Sequence, residues 1–318
     1  MNSLGRPSVL PLRSLSHSIR RFSTSPSSSI QKITIYGAGL MGAGITQVAA
    51  QNGLDVTMVD VSPDAIKKGK NIIDASLKRV ASRLHKDDEK KRTEFIENVW
   101  KNISSSTDSS AAAVDADLLV EAIVENMKVK QELFSQLDKV AKKSAIFASN
   151  TSSLIISEIA KATNREENFA GLHFFNPVPQ MKLVEVIRTD KTSNETCEKL
   201  MDVTKRMQKT PVTCKDTPGF IVNRLLVPYI LEAFRLVGRG EATHADVDTA
   251  MKLGAGMPMG PFELADLVGL DTLKFIADGW RQSGKIDAHL VAPVKELDDL
   301  VANGDIGRKS GKGVYSYP

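Results

Sequence analysis

The chain has few groups that bind metals or respond to oxidants: two cysteines, Cys197 and Cys214, and five histidines in 318 residues. Two isolated thiols build neither a disulfide scaffold nor a zinc site, and they fit a reducing compartment. Long clean hydrophobic runs are also missing. Residues 33–54 carry no charge, yet they contain five glycines together with Gln47, Gln51 and Asn52, which excludes a membrane span. No acidic residue occurs before Asp55. With 42% apolar residues, 25% charged residues and only 13 prolines, a disordered or fibrous chain is excluded, and the length allows two domains.

Four basic residues, Arg6, Arg13, Arg20 and Arg21, fall in the first 21 positions, and ten serines fall in residues 1–29. Setting those arginines aside leaves 38 basic against 38 acidic side chains, so the net charge of +4 belongs to the leader. A neutral body argues against nucleic acid and anionic membranes as partners. The Arg-rich, acid-free leader lacks an apolar core of signal-peptide length and reads as a mitochondrial or plastid transit peptide over residues 1–29. Within it, Arg20-Arg21-Phe22-Ser23 resembles a site cut after Phe22 in mitochondrial presequences.

Beyond the leader, residues 32–36 read as a buried strand, the glycines follow, Ile45, Val48 and Ala49 recur at helical spacing, and residues 56–59 read as a second strand. This is a βαβ unit. Residues 62–100 turn helical and charged, with Ile73, Leu77, Val80 and Leu84 as one apolar stripe, which predicts a helical pair inserted after the second strand. Further strands are predicted at 118–123, 145–149, 170–175, 183–187 and 212–214, alternating with helices. The expectation is an α/β fold, a sheet covered on both faces, over residues 30–215. From Asp216-Thr217-Pro218-Gly219 onward the pattern is helical, predicting an all-helical second domain over 216–318.

The segment Gly37-Ala38-Gly39-Leu40-Met41-Gly42 is a G-x-G-x-x-G that follows a strand and opens a helix. Its glycines allow a tight turn and close approach of backbone to a pyrophosphate, which the helix N-terminus binds. Asp60 ends the second strand, 18 residues beyond Gly42, where a carboxylate would hold the adenosine ribose hydroxyls and repel a 2′-phosphate. Val61, Ser62 and Pro63 supply no arginine for such a phosphate. NAD is therefore the expected cofactor, and no metal is expected.

His173 is the one histidine at the end of an apolar strand, and Glu185 alternates with Leu183 and Ile187 twelve residues later. A carboxylate among apolar side chains needs a partner. If the two strands are neighbours, Glu185 holds the tautomer of His173, which can take a hydroxyl proton while carbon gives hydride to a nicotinamide. The alternative is a satisfied core histidine.

Residues 67–92 hold ten Lys or Arg against four acids. Ser76 and Arg83, seven residues apart, fall near one helical face with Arg79 close by, a surface for a polyanion such as a CoA nucleotide; a solvated face is the alternative.

Taken together, GAGLMG at 37–42, ASNTSSL at 148–154, GLHFFNPVP at 171–179, MKLVEVI at 181–187, KDTPGFIVNRLL at 215–226 and KLGAGMPMGPFELAD at 252–266 resemble the L-3-hydroxyacyl-CoA dehydrogenase family over nearly all of residues 30–318. The resemblance implies a Rossmann-type NAD domain with a helical pair and a helical C-terminal dimerisation domain. It also implies a homodimer in the mitochondrial matrix that oxidises (S)-3-hydroxyacyl-CoA to 3-oxoacyl-CoA in fatty-acid β-oxidation, with neither nucleic acid nor an integral membrane as partner. Carried over by position, His173 resembles the family's base and Glu185 its partner. Ser152 and Asn223 match the residues that hold the substrate hydroxyl, Asn176 matches a cofactor contact, and Asp60, Glu125, Lys130 and Lys309 match further NAD contacts. Ser76 matches a CoA contact, and Arg83 stands where the family often has lysine. On residues alone, Ser152 could equally cap a helix starting near Leu154, and Asn223 could lie on a helix surface. An NADP-linked 3-hydroxybutyryl-CoA reductase, a lambda-crystallin-type dehydrogenase and a non-enzymatic protein of the same fold are the alternatives.

Overall fold

The computed structural model describes residues 30–318, and the leader read as a transit peptide, 1–29, lies outside the described residues. Eight strands form one sheet: β1 (Lys32–Tyr36), β2 (Asp55–Val59), β3 (Ile103–Ser106), β4 (Leu118–Glu121), β5 (Ile146–Ser149), β6 (Phe169–Phe174), β7 (Leu183–Arg188) and β8 (Thr210–Lys215). Their spatial order is β3-β2-β1-β4-β5-β6-β7-β8. Pairing is parallel from β3 to β6, antiparallel between β6 and β7, and parallel again between β7 and β8.

Alternation along the strands divides the buried side chains between two layers. Ile33 and Ile35, Leu118 and Val120, and Ile146 and Ala148 enter one core, whereas Leu119 and Phe147 enter the other, where Phe134 and Phe169 pack. A sheet buried on both faces needs apolar residues at both parities, and within these three strands the only buried polar residues are Thr34, Glu121 and Ser149. β3 is the exception. Its sequence is Ile-Ser-Ser-Ser at the sheet's edge, three of its residues are half-buried, and apolar periodicity did not predict it.

The helices of this layer are α1 (Leu40–Gln51), α2 (Pro63–Leu84), α3 (Glu89–Lys101), α4 (Met127–Asp138), α5 (Ile156–Ala160) and α6 (Asn194–Arg206). The expected stripe on α2 needs correction. Ile73, Leu77 and Ala81 are fully buried and Val80 is half-buried, but Leu84 is 54% exposed. At 22 residues α2 is about 33 Å long. The α2–α3 tip, residues 82–92, contributes no side chain to the core, so the stripe keeps its phase but runs out of surface to pack on.

The remaining helices, α7 (Val222–Gly238), α8 (His244–Gly254), α9 (Pro261–Val268), α10 (Leu270–Ser283) and α11 (Lys295–Ala302), build a separate core around Leu231, Phe234, Phe262 and Trp280. Among the described residues no helix is long and apolar enough to cross a membrane.

Leu77→Ala is expected to destabilise the protein by about 2–5 kcal/mol, whereas Leu84→Lys is expected to stay within about 0.5 kcal/mol of the parent. Urea unfolding followed by circular dichroism measures both, and equal losses would contradict the overhanging tip.

Candidate active site

Strand–turn–helix geometry at β1 and α1 produces an anion cradle. Gly37 has φ +105°, and a Cβ there would lie 2.5 Å from the Ala122 carbonyl oxygen. A Cβ on Gly42 would lie 1.8 Å from the Gly37 carbonyl oxygen, so the turn closes only with glycine at both positions. Gly39 differs: its Cβ would meet nothing within 4 Å, and it is the N-cap of α1, which no side chain caps. Ala38 is buried, Leu40 is exposed and Met41 is half-buried. An uncapped helix N-terminus facing open space at a glycine turn fits a dinucleotide pyrophosphate. Asp60 follows β2 beside this turn, where its carboxylate accepts from Ala38 N–H at 2.6 Å and from Val61 N–H at 2.7 Å.

At the carboxyl ends of the strands, a cleft of about 400 Å³ is lined by Met41, Glu125, Ser152, His173, Asn176 and Asn223, with Phe275 and Ile276 of α10 across from them. A hollow of similar volume lies at the amino ends of β1, β2 and β3, away from the glycine turn. Ligands of parallel sheets sit at the carboxyl ends, so the first cleft is the candidate site.

Antiparallel pairing sets His173 directly opposite Glu185. Nδ1 of His173 lies 2.7 Å from Oε2 of Glu185, and Glu185 is fully buried. The other carboxylate oxygen, Oε1, accepts from the N–H groups of Ile221 and Val222 at 3.0 and 2.9 Å, at the N-terminus of α7. Burial pushes the Glu185 carboxyl up, but the hydrogen bonds from His173 and these amides outweigh it and hold it below the ordinary range. An ionised Glu185 accepts from Nδ1–H, which leaves Nε2 as the ring's basic nitrogen. The rings of Phe175 and Phe220 lie 4.4 and 5.7 Å from that of His173.

The loop after β5 carries Ser152. Its N–H donates to Oε1 of Glu125 at 3.2 Å, its carbonyl accepts from Asn223 Nδ2 at 3.3 Å, and its hydroxyl has no hydrogen bond among the described residues. Ser152 caps no helix. α5 begins at Ile156, and the Asp216 carboxylate accepts from the N–H groups of Ile156 and Ser157, both at 2.8 Å. Glu125 also accepts from the hydroxyls of Thr151 and Ser153. Burial raises its carboxyl, but the Lys130 ammonium and the Thr151 hydroxyl bring it below the ordinary range.

Lys130 is 1% exposed, with Nζ 2.5 Å from Oε1 of Glu121 and 3.2 Å from Oε2 of Glu125. Pattern reading missed Glu121. It is fully buried at the end of β4, accepts from Ser149 Oγ at 2.6 Å and from Ile123 N–H at 2.8 Å, and its signal was the one carboxylate in an otherwise apolar strand. Asn150 was also missed; it lines the cleft and accepts from Phe174 N–H at 2.8 Å.

Three expected site residues lie apart. Lys309 is paired with Asp271 at 2.7 Å, next to the cleft-lining Thr272, and does not itself line the cleft. Ser76 and Arg83 share a helical face but not an environment: Ser76 is buried under the body and Arg83 is exposed on the overhanging part of α2.

Residues 32–217 match the family model of the 3-hydroxyacyl-CoA dehydrogenase NAD binding domain, and residues 219–317 match that of the 3-hydroxyacyl-CoA dehydrogenase C-terminal domain. The chain belongs to the 3-hydroxyacyl-CoA dehydrogenase family. It is 54% identical over 308 residues to the mitochondrial hydroxyacyl-coenzyme A dehydrogenase of Homo sapiens, covering 96% of this chain and 97% of that one. The Sus scrofa protein of the same name is 53% identical over 306 residues, again covering 96% and 97%. Among solved structures, the (S)-3-hydroxybutyryl-CoA dehydrogenase of Ralstonia eutropha is similar with a TM-score of 0.85 and 40% identity, over 91% of this chain and all of that chain. Within this dehydrogenase family fold, an NAD-binding domain is followed by a shorter helical C-terminal domain.

Because the Glu185 carboxyl is held lower in the folded chain than in the unfolded one, its contribution to stability is present above the unfolded value, about 4.3, and is lost as pH falls through the folded value. The unfolding free energies of the parent and Glu185→Gln are expected to differ most near pH 7 and to converge as pH drops from about 5 towards 3. A pH-independent difference would show that Glu185 acts through packing and not charge.

Proposed function

We propose that the chain oxidises (S)-3-hydroxyacyl-CoA to 3-oxoacyl-CoA with NAD as hydride acceptor, and that His173 and Glu185 form its general-base pair. The observation that carries this reading is the buried contact between His173 Nδ1 and Glu185 at 2.7 Å, in a cleft that also holds Ser152 and Asn223. Nicotinamide, when bound, supplies the hydride acceptor. The glycine turn and the α1 N-terminus would hold the pyrophosphate, Asp60 the adenosine ribose, and Glu125, Asn176 and Lys309 the remaining cofactor contacts, with Lys130 keeping Glu125 in place.

In this reading Ser152 Oγ and Asn223 orient the substrate hydroxyl, and His173 Nε2 takes its proton as C3 loses hydride. Glu185 stabilises the imidazolium that results, because its charge stays buried beside Nδ1. Phe175 and Phe220 restrict water around the ring, which strengthens these interactions. Reduction of 3-oxoacyl-CoA runs the same steps backwards, with the protonated ring as donor.

Exposed Arg79 and Arg83 on α2 support binding of the CoA phosphates, with Ser76 behind them. The Arg-rich leader and the mitochondrial names of the relatives support import into the matrix. Leu225 on α7 and Leu253 on α8 are 70% and 83% exposed, which supports a homodimer formed through the helical domain.

His173→Gln is expected to lower kcat for acetoacetyl-CoA reduction about 100- to 10,000-fold while NADH affinity, read by fluorescence titration, stays within about twofold of the parent. The parent is expected to use NADH in preference to NADPH, through Asp60. A folded variant with parental kcat would remove His173 from the chemistry.

A further inference from the structure

Beside the catalytic cleft lies a second hollow that the proton and hydride steps do not use. Its volume is about 230 Å³, and it adjoins the cleft at Ser153, Phe275 and Ile276, which line both. Its walls are mostly apolar, with Leu154, Ile155 and Pro218 alongside Gly279 and Trp280 of α10, and the charged Glu158 and Lys285 also line it. No residue of the glycine turn lines it.

Gly279 is the unusual member. It lies inside α10, ten residues into a helix of fourteen, where glycine is less stable than alanine. Glycines just past helix ends have a capping explanation, as Gly240 after α7 and Gly256 after α8 do, at φ +75° and +68°. Gly279 caps nothing. Close packing does not require it either, because a Cβ there would meet nothing within 4 Å. Phe275, Gly279 and Ser283 follow one another at i, i+4 and i+8, so one face of α10 looks onto the groove and glycine keeps its middle open.

We propose that this groove takes the hydrocarbon tail of the acyl group beyond C4, and that Gly279 determines how long a tail it accepts. The inference rests on the hydroxyacyl-CoA reading above. A chain held with its C3 hydroxyl at Ser152 and His173 continues past Ser153 into the groove, where the mostly apolar walls take methylenes out of water. Gly279 lines the groove and not the cleft, so a four-carbon acyl group is expected to end before reaching it.

The test compares NADH-dependent reduction of acetoacetyl-CoA and 3-oxodecanoyl-CoA by the full chain, Gly279→Ala and Gly279→Leu. For Gly279→Leu, kcat/KM is expected to fall at least about tenfold on the ten-carbon substrate, as for methylenes excluded from an apolar pocket, and to change little on the four-carbon one. Gly279→Ala is expected to melt no lower than the parent, since its methyl group enters open space. Should Gly279→Leu fail to fold, Gly279→Cys replaces it: 3-oxodecanoyl-CoA is expected to slow alkylation of the new thiol, read by peptide mass spectrometry, and acetoacetyl-CoA is not. Unchanged ten-carbon turnover in Gly279→Leu, equal losses on both substrates, or a thiol that 3-oxodecanoyl-CoA leaves unprotected would overturn the proposal. So would a parent active on four carbons and inactive on ten. A folded parent inactive on acetoacetyl-CoA would instead overturn the hydroxyacyl-CoA reading, a separate failure.

Discussion

A single buried carboxylate joins the sheet, the histidine and the helical domain. Glu185 is wholly inaccessible, and burying an ionised carboxylate costs several kcal/mol. Three hydrogen bonds offset that cost, one with His173 Nδ1 and two from the amides of Ile221 and Val222. Hydrogen bonds to a charged group contribute about 1.5–3 kcal/mol each, so together they hold the charge in place, and loss of any one leaves it undersupplied. The orientation of the histidine ring and the docking of α7 on the sheet therefore depend on the same two oxygen atoms.

The arrangement recurs elsewhere in the molecule. Asp216 caps α5 from a distance in sequence, and Asp248 caps α9 by accepting from the N–H groups of Phe262 and Glu263. Asp266 accepts from the N–H groups of Val314 and Tyr315 and from the Tyr317 hydroxyl, holding the C-terminal segment that carries Lys309. Side chains at Gly260 and Gly313 would strike Asp248 and Asp266 at 2.2 and 2.0 Å. α11 also lacks a side-chain cap, but α1 differs in its setting. Its N-terminus is left without a side-chain cap at the glycine turn that matches a dinucleotide site, so the partial positive charge is available to an anion from outside the chain.

Much of the architecture was legible because both-face burial writes itself into continuous apolar strands, and the glycine turn has a fixed relation to its strand and helix. The opposition of His173 and Glu185 was accessible from alternation and a twelve-residue separation, since neighbouring antiparallel strands with a short connection pair at about that distance. Other parts were not legible. β3 is an edge strand of serines whose membership depends on backbone pairing with β2 and not on apolar side chains. Lys130 looks like a surface charge in a linear reading, and only the fold encloses it beside Glu121 at the end of β4. Periodicity placed Leu84 on the correct face of α2 but could not show that nothing packs there, and for the same reason it could not separate buried Ser76 from exposed Arg83.

Asp216 ends the sheet domain with its carboxylate committed to α5, and Ile221 opens α7 with its amide committed to Glu185. Between them lie four residues, Thr217 to Phe220. Gly219, at φ +78°, is stacked so closely on Trp280 that a Cβ would lie 2.4 Å from the indole, and Phe220 adopts a positive φ of 53°. A hinge this short and this constrained has few torsions to spend. Any swing of the helical domain over the cleft must turn about an axis passing close to His173, which gives the mouth of the cleft the largest travel and the proton-transfer geometry the smallest.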